Sequence, residues 1–274
     1  MDFVLVIKAI IMGIVEGVTE LLPISSTGHL ILAADVMNFL ENDKRTLFEI
    51  FIQMGAMLAV VWEYRGKIFG SLKGIHRPGI ARNLYINVAL AFFPAATIGF
   101  LLSDFIMSVL FSPYVVAAGF IVGGLVIIWV EKFAYAPRVH EMDDLTYVDA
   151  LKVGLCQCLA LIPGTSRSGA TIIGGMYFGL SRKASTEFSF FLAIPMISAA
   201  SLYSLWGARD QLEWAEAGIL AIGFITSFIT AFAVMRALLK FISNHTYMAF
   251  AWYRIAFGIL VLATAYTGAI NWAH

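Results

Sequence analysis

The chain has 274 residues, of which 60% are hydrophobic and only 13% charged, with a mean hydropathy of +0.85. Soluble domains carry about 25% charge, so a soluble globular class is excluded, and 18 basic residues balanced by 18 acidic ones give no reason to expect a nucleic-acid partner. The apolar residues come in runs that reach or approach the ~20 residues needed to cross hydrocarbon, which predicts an all-α polytopic membrane protein.

In chain order, the first apolar run does not read as a removable signal peptide. Asp2 occupies the position of the basic n-region, Lys8 interrupts the run, and no small-x-small site precedes Glu16. Next comes "EGVTELLPISSTGHL" (16–30), where two acids, three adjacent hydroxyls and a histidine stand in a neighbourhood otherwise fit for lipid. A span at 48–64 follows, poor because of Gln53 and Gly55, and then runs at 84–103 and 114–130. A second polar stretch holds "PGTSRSGAT" (163–171), and further runs occupy 188–206, 217–235 and 247–270. Cys156 and Cys158 are two apart with no second pair, and read as small buried residues rather than a disulfide or a metal site.

The stretches 13–31 and 154–172 align without a gap: Gly13 falls on Gly154, Glu16 on Gln157, Ser25 on Ser166, Thr27 on Ser168 and Gly28 on Gly169. A Phe-rich apolar run follows each. The single membrane domain 1–274 therefore reads as two copies of one unit, roughly 1–140 and 141–274. Lys and Arg orient them. The 63–83 loop holds five, the 104–113 loop none, the 131–149 loop Lys132 and Arg138, the 207–216 loop only Arg209, and the 236–246 loop Arg236 and Lys240. By the positive-inside rule this alternates in, out, in, out, in. Three spans per half invert the second copy, an architecture familiar from transporters. The two polar segments, broken at Pro23 and at Pro163-Gly164, are then predicted to be re-entrant hairpins, since irregular backbone at membrane depth must be surrounded by protein or water. Six spans plus two such hairpins, their tips meeting near the midplane, is the expected fold.

Each break restarts a helix whose first N–H groups lack partners, and such a terminus suits phosphate. Ser25, Ser26, Thr27 and Gly28 on one side, and Gly164, Ser166, Ser168 and Thr171 on the other, are the candidate binding residues, with hydroxyls as caps or ligands and glycines allowing close approach. Arg167 offers a planar fork for phosphate oxygens. Glu16 and Glu20, four apart, share a helix face and cannot both ionise cheaply in low dielectric. They would hold a divalent cation, Mg²⁺ or Ca²⁺, together with substrate phosphate, or pair with Arg167. His29 shares a side with Ser25 and Ser26 and is a candidate for proton transfer. Glu49 and Gln53 could face the site. Arg254 is expected to snorkel to the cytoplasmic interface, and Asn87 and Asn271 are unassigned.

"EGVTE", "PISSTGH" and "PGTSRSGAT" together resemble the undecaprenyl-pyrophosphate phosphatase family, the bacitracin-resistance phosphatases. Glu16 and Glu20 match its E/Q-x-x-x-E motif, and Pro163, Gly164, Ser166, Arg167, Ser168 and Thr171 its PG-x-SRS-x-x-T motif. The resemblance implies removal of the terminal phosphate from a C55 isoprenoid diphosphate, regenerating the cell-wall lipid carrier. It further implies a multi-pass protein of the bacterial inner membrane, an active site open to the periplasm, and dependence on a divalent cation. Arg167 and the helix N-termini would then bind the diphosphate while Ser26 attacks and Glu20 or His29 takes its proton; His29 as nucleophile stays open. So do a homodimer and a rival reading as a lipid-phosphate transporter or flippase. "SSTGH" also resembles the serine–glycine–histidine motif of phosphatidate-phosphatase-type acid phosphatases, but their other motifs are missing: five residues beyond Arg167 lies isoleucine, not histidine.

Overall fold

The computed structural model describes residues 2–133, 136–207, 217–270 and 272, and among these the architecture is helical, with one isolated bridge between Val139 and Leu180 in place of any sheet. The helices are α1 (Phe3–Thr19), α2 (Ser26–Met37), α3 (Asn42–Glu63), α4 (Arg65–Leu72), α5 (Ile80–Leu101), α6 (Ser103–Phe105), α7 (Pro113–Phe133), α8 (Tyr147–Gln157), α9 (Arg167–Tyr177), α10 (Arg182–Gly207), α11 (Ala217–Ile242) and α12 (Met248–Thr267). Six of them, α3, α5, α7, α10, α11 and α12, are long and apolar enough to cross a membrane. Large apolar side chains such as Phe93, Leu101, Ile229 and Trp252 face outward, as a lipid-facing surface requires.

The poor span at 48–64 is a continuous helix from Asn42, and packing explains its weak hydropathy. Half of its spanning window is buried, the largest share among the six. Gly55 is pressed against α11, where a Cβ would stand 2.4 Å from the Phe224 carbonyl oxygen. A polar or small residue on such a face meets protein rather than lipid. α1 packs on α11 and α3, α8 on α5 and α9, α12 on α7, and α10 on α3 and α9. The corresponding glycines of the two aligned stretches make equivalent contacts: Gly13 lies on Gly223 and Thr226 of α11, and Gly154 on Ala91 of α5.

Both polar stretches break where the prolines require it. α1 stops at Thr19 and α2 starts at Ser26; α8 stops at Gln157, a tight turn covers Cys158–Leu161, and α9 starts at Arg167. Ser25 (φ 67°) and Ser166 (φ 74°), which correspond in the alignment, both have left-handed backbone. That conformation is costly for a residue with a Cβ and persists only where the surroundings enforce it.

Hydrogen bonds link the two ends of each broken segment. Lys8 Nζ near the start of α1 donates to the carbonyl of Asn38 just after α2, at 3.1 Å. Arg138 pairs with Asp149 in the first turn of α8 and also donates to the Phe178 carbonyl after α9, while Val139 N donates to Gly179 O. Burial works against the ionised Asp149, but hydrogen bonds from Arg138 and Thr146 outweigh it and hold the carboxyl below its ordinary value. The loops rich in Lys and Arg share one end of the bundle: Lys67 pairs with Asp143 at 2.6 Å, Arg236 with Glu63 at 2.8 Å, and Tyr247 N donates to Glu131 at 2.6 Å. The expected Arg209 loop and Asn271 lie outside the described residues.

Candidate active site

The two breaks meet. Ser168 Oγ at the start of α9 donates to the carbonyl of Leu22 (2.7 Å) and approaches that of Glu20 (3.3 Å), so the second tip is tied to the first. Beside this junction lies a cavity of about 200 Å³, lined among others by Glu20, Ser25, Ser26, Thr27, Gln53, Gly164, Ser166 and Arg167. Sequence reasoning named all of these, from positions up to 147 residues apart.

Glu20 organises the cavity. Its Oε2 accepts the Ser26 hydroxyl at 2.7 Å, and its Oε1 accepts Arg167 Nη2 at 3.0 Å. A hydroxyl hydrogen-bonded to a carboxylate, next to a guanidinium, is the arrangement of a nucleophile, its base and an anion holder. Arg167 Nη1 donates to the Ser189 carbonyl at 3.1 Å, while its buried Nε has no partner. Nε is thus the one guanidinium nitrogen with no protein partner. Ser25 makes no side-chain cap to α2, so the leading N–H groups of this helix stay open to an anion. At α9 the outcome differs: Ser166 Oγ caps Gly169 N at 3.0 Å.

His29 is buried and fully engaged. Its Nδ1 lies 2.7 Å from the Ser25 carbonyl and its Nε2 2.6 Å from the Tyr253 hydroxyl, with the ring stacked 4.0 Å from Phe257. A carbonyl only accepts, so Nδ1 carries the proton, and Nε2 of the neutral ring accepts from Tyr253. The ring thus holds the strained Ser25 backbone, and Glu20, not His29, bonds the Ser26 hydroxyl. Tyr253 carried no signal in the sequence, being one aromatic among many.

Three candidate binding residues, Ser168, Thr171 and Gly28, are placed differently from expectation, and a fourth, Gly164, has a packing role besides. Ser168 spends its hydroxyl on the first tip, and Thr171 spends its own on the carbonyls of Arg167 and Ser168 and on Ser189 Oγ at 2.7 Å. Gly28 faces Phe120, where a Cβ would stand 2.7 Å away, and a Cβ on Gly164 (φ 87°) would collide with the Val116 carbonyl of α7. Gly164 lines the cavity as expected and packs against α7 as well, whereas Gly28 is not among the lining residues. Arg254 is the clearest correction. It does not snorkel: only 1% exposed, it donates to the carbonyls of Pro23 (3.0 Å), Gly119 (2.8 Å), Phe120 (3.3 Å), Gly164 (3.0 Å) and Thr165 (2.9 Å). One guanidinium therefore ties both tips to α7. The signal lay in the sequence as an isolated arginine inside a span, a group that seldom faces lipid.

Glu16, one turn before Glu20, is 1% exposed, and neither of its carboxylate oxygens has a hydrogen-bond partner. An orphaned carboxylate beside a second one fits a divalent cation, which commonly takes one or two carboxylates and completes its shell with substrate phosphate and water. Among the described residues no group of three or more His, Cys, Asp or Glu gathers for this purpose, so substrate oxygens would have to supply the remainder. Glu49 pairs with Arg45 at 3.3 Å instead. Asn87 donates to the Leu145 carbonyl at 2.9 Å, a structural tie between α5 and the loop before α8.

The family described as bacitracin resistance protein BacA matches residues 9–260. A protein of Cellvibrio japonicus named undecaprenyl-diphosphatase is 80% identical over 273 residues, covering all of both chains. Undecaprenyl-diphosphatase 1 of Chromobacterium violaceum is 61% identical over 97% of this chain and 98% of its own, and undecaprenyl-diphosphatase 2 of Rhodospirillum rubrum 54% over all of both. Two broken helices meeting at a carboxylate–serine–arginine cluster, and a sequence match over nearly the whole length, lead to one conclusion: this chain belongs to the bacitracin resistance protein BacA family.

Proposed function

We infer that this chain is an undecaprenyl-diphosphatase, a membrane-embedded hydrolase that takes the terminal phosphate from undecaprenyl diphosphate and recycles undecaprenyl phosphate. The observation that carries the chemistry is the Ser26–Glu20–Arg167 chain of hydrogen bonds inside the cavity. Arg167 Nε and the α2 N-terminus receive the terminal phosphate and favour the charge that builds on its equatorial oxygens. Ser26 Oγ attacks the terminal phosphorus and passes its proton to Glu20 Oε2. The bond from phosphorus to the bridging oxygen breaks with its electron pair going to that oxygen, and undecaprenyl phosphate departs with the proton that Glu20 hands on. Water then attacks the phosphoserine, giving a proton to Glu20, which returns it to Ser26 as inorganic phosphate leaves. His29 and Tyr253 fix Ser25 next to the nucleophile, and Arg254 keeps the two tips in register. A divalent cation held by Glu16 and Glu20 would neutralise charge on the diphosphate oxygens.

The hydrogen bonds that link the two ends of each broken segment support the re-entrant reading, and the swapped packing of α1 on α11 and α8 on α5 supports two inverted copies at 1–140 and 141–274. With the Lys/Arg distribution, this favours insertion in the bacterial inner membrane with the cavity open to the periplasm. The functional test is phosphate release from undecaprenyl diphosphate by purified protein in detergent micelles. There only hydrolysis, and not transport, produces a signal. The wild type should turn over, and Ser26→Ala should lose about 10³-fold or more; a Ser26→Ala variant near the wild-type rate would remove the serine from the reaction.

A further inference from the structure

A diphosphate head in the cavity leaves its isoprenoid tail to be placed, and the cavity wall offers one way out. Its apolar lining includes Met196 and Ala200 of α10 and Ala160 of the turn before the second tip. Met196 and Ala200 also line a second hollow of about 430 Å³, bounded by residues of α5 and α10 and by Leu161. Its floor is made of small residues, Ala95, Ala96 and Gly99 of α5 and Ala199 of α10, and no charged side chain reaches it. At its outer end stand Phe100 and Tyr203, rings 6.3 Å apart, both largely exposed where lipid would be.

We propose that this α5/α10 groove seats the head-proximal isoprene units of the substrate, a linear branched hydrocarbon, and leads the rest of the chain into the bilayer. The proposal rests on the diphosphate reading of the cavity. Another apolar hollow, of about 320 Å³ with Arg254 on its wall, lies along α7 and α9, but it shares no lining residue with the cavity. Of these two hollows, the α5/α10 groove is the one that shares lining residues, Met196 and Ala200, with the cavity. Moving an isoprene unit from lipid into such a groove gains no hydrophobic free energy, since acyl chains are as apolar as the groove. Its contribution is placement: it holds the first carbons of the tail so that the terminal phosphorus faces Ser26 Oγ.

The test is ligand protection. Ala199→Cys, made in a Cys156→Ser/Cys158→Ser background, is alkylated in micelles with a membrane-permeant maleimide, and Val126→Cys in the α7/α9 hollow serves as the counterpart. Undecaprenyl phosphate should slow alkylation at position 199 by tenfold or more, inorganic pyrophosphate should leave it unchanged, and neither should alter position 126. Gly99→Leu, which narrows the groove without touching the cavity, should lower kcat/KM for undecaprenyl diphosphate about tenfold with the fold intact by thermal unfolding. Protection at 126 rather than 199, or at neither, overturns the groove. Phosphate release is measured on the same preparations: activity without protection at 199 sinks the groove alone, whereas an inactive unmutated protein sinks the diphosphate reading as well.

Discussion

Arg254 meets five carbonyl oxygens from three separate segments, and this one side chain shows how the site is held. Lysine keeps the charge but concentrates its donors at a single point and loses the planar fork, so it cannot span Pro23, Gly119 and Thr165 together. Each buried carbonyl left without a donor costs about 1–3 kcal/mol. Arg254→Lys is expected to destabilise the protein by about 3 kcal/mol or more, read by denaturant unfolding in detergent, and kcat should fall more than KM rises because the tips lose register. Unchanged stability would show that water or neighbouring groups replace the guanidinium. The residues that meet in the cavity were legible in the sequence, because Glu20, Ser26 and Arg167 are expensive groups in an apolar chain. Those that position them were less so. Tyr253 and Ser189 look like ordinary span residues, and the Ser189 contribution is a backbone carbonyl that no side-chain pattern encodes.

Among the elements, the helix breaks were readable from Pro23 and Pro163-Gly164, and the six spans from their apolar runs. Some ends moved outward, α5 beginning at Ile80 and α11 continuing to Ile242, since amphipathic turns beyond the hydrocarbon remain helical, whereas α5 stops at Leu101 and α12 at Thr267, inside the expected ends. Close helix approach was harder to see, because a glycine in a membrane helix does not announce its partner. Gly119 of α7 is such a case, where a Cβ would stand 2.7 Å from the Pro163 carbonyl and 2.8 Å from the Gly164 carbonyl carbon. Gly119→Ala should therefore push the second tip off α7 and cost about 1–3 kcal/mol, the usual scale of overpacking. Gly66 in α4 has nothing within 4 Å of its would-be Cβ, so Gly66→Ala should be neutral or stabilise by up to about 1 kcal/mol through helix propensity. Thermal unfolding of the pair checks both, and equal effects would contradict the close-packing account.

For the whole molecule, the Lys/Arg count alone arranged the loops, and the ion pairs now gather 63–83, 131–149 and 236–246 at one end. Sidedness follows as an expectation: with native cysteines replaced, Lys73→Cys should resist an impermeant thiol reagent applied outside spheroplasts, while Ser108→Cys should react. The reverse pattern would invert the protein. Which hydroxyl or ring performs the attack was beyond the sequence, where Ser26 was the first reading and His29 stayed open; the hydrogen bonds of Ser26 to Glu20, and of His29 to Ser25 and Tyr253, favour the serine. The most direct test of that assignment is rapid-quench trapping with undecaprenyl diphosphate labelled in its terminal phosphate, followed by mapping of the labelled peptide. The account predicts an acid-stable phosphoserine at Ser26 that disappears in Ser26→Ala. Acid-labile label on His29, or turnover with no covalent label at any time, would contradict it.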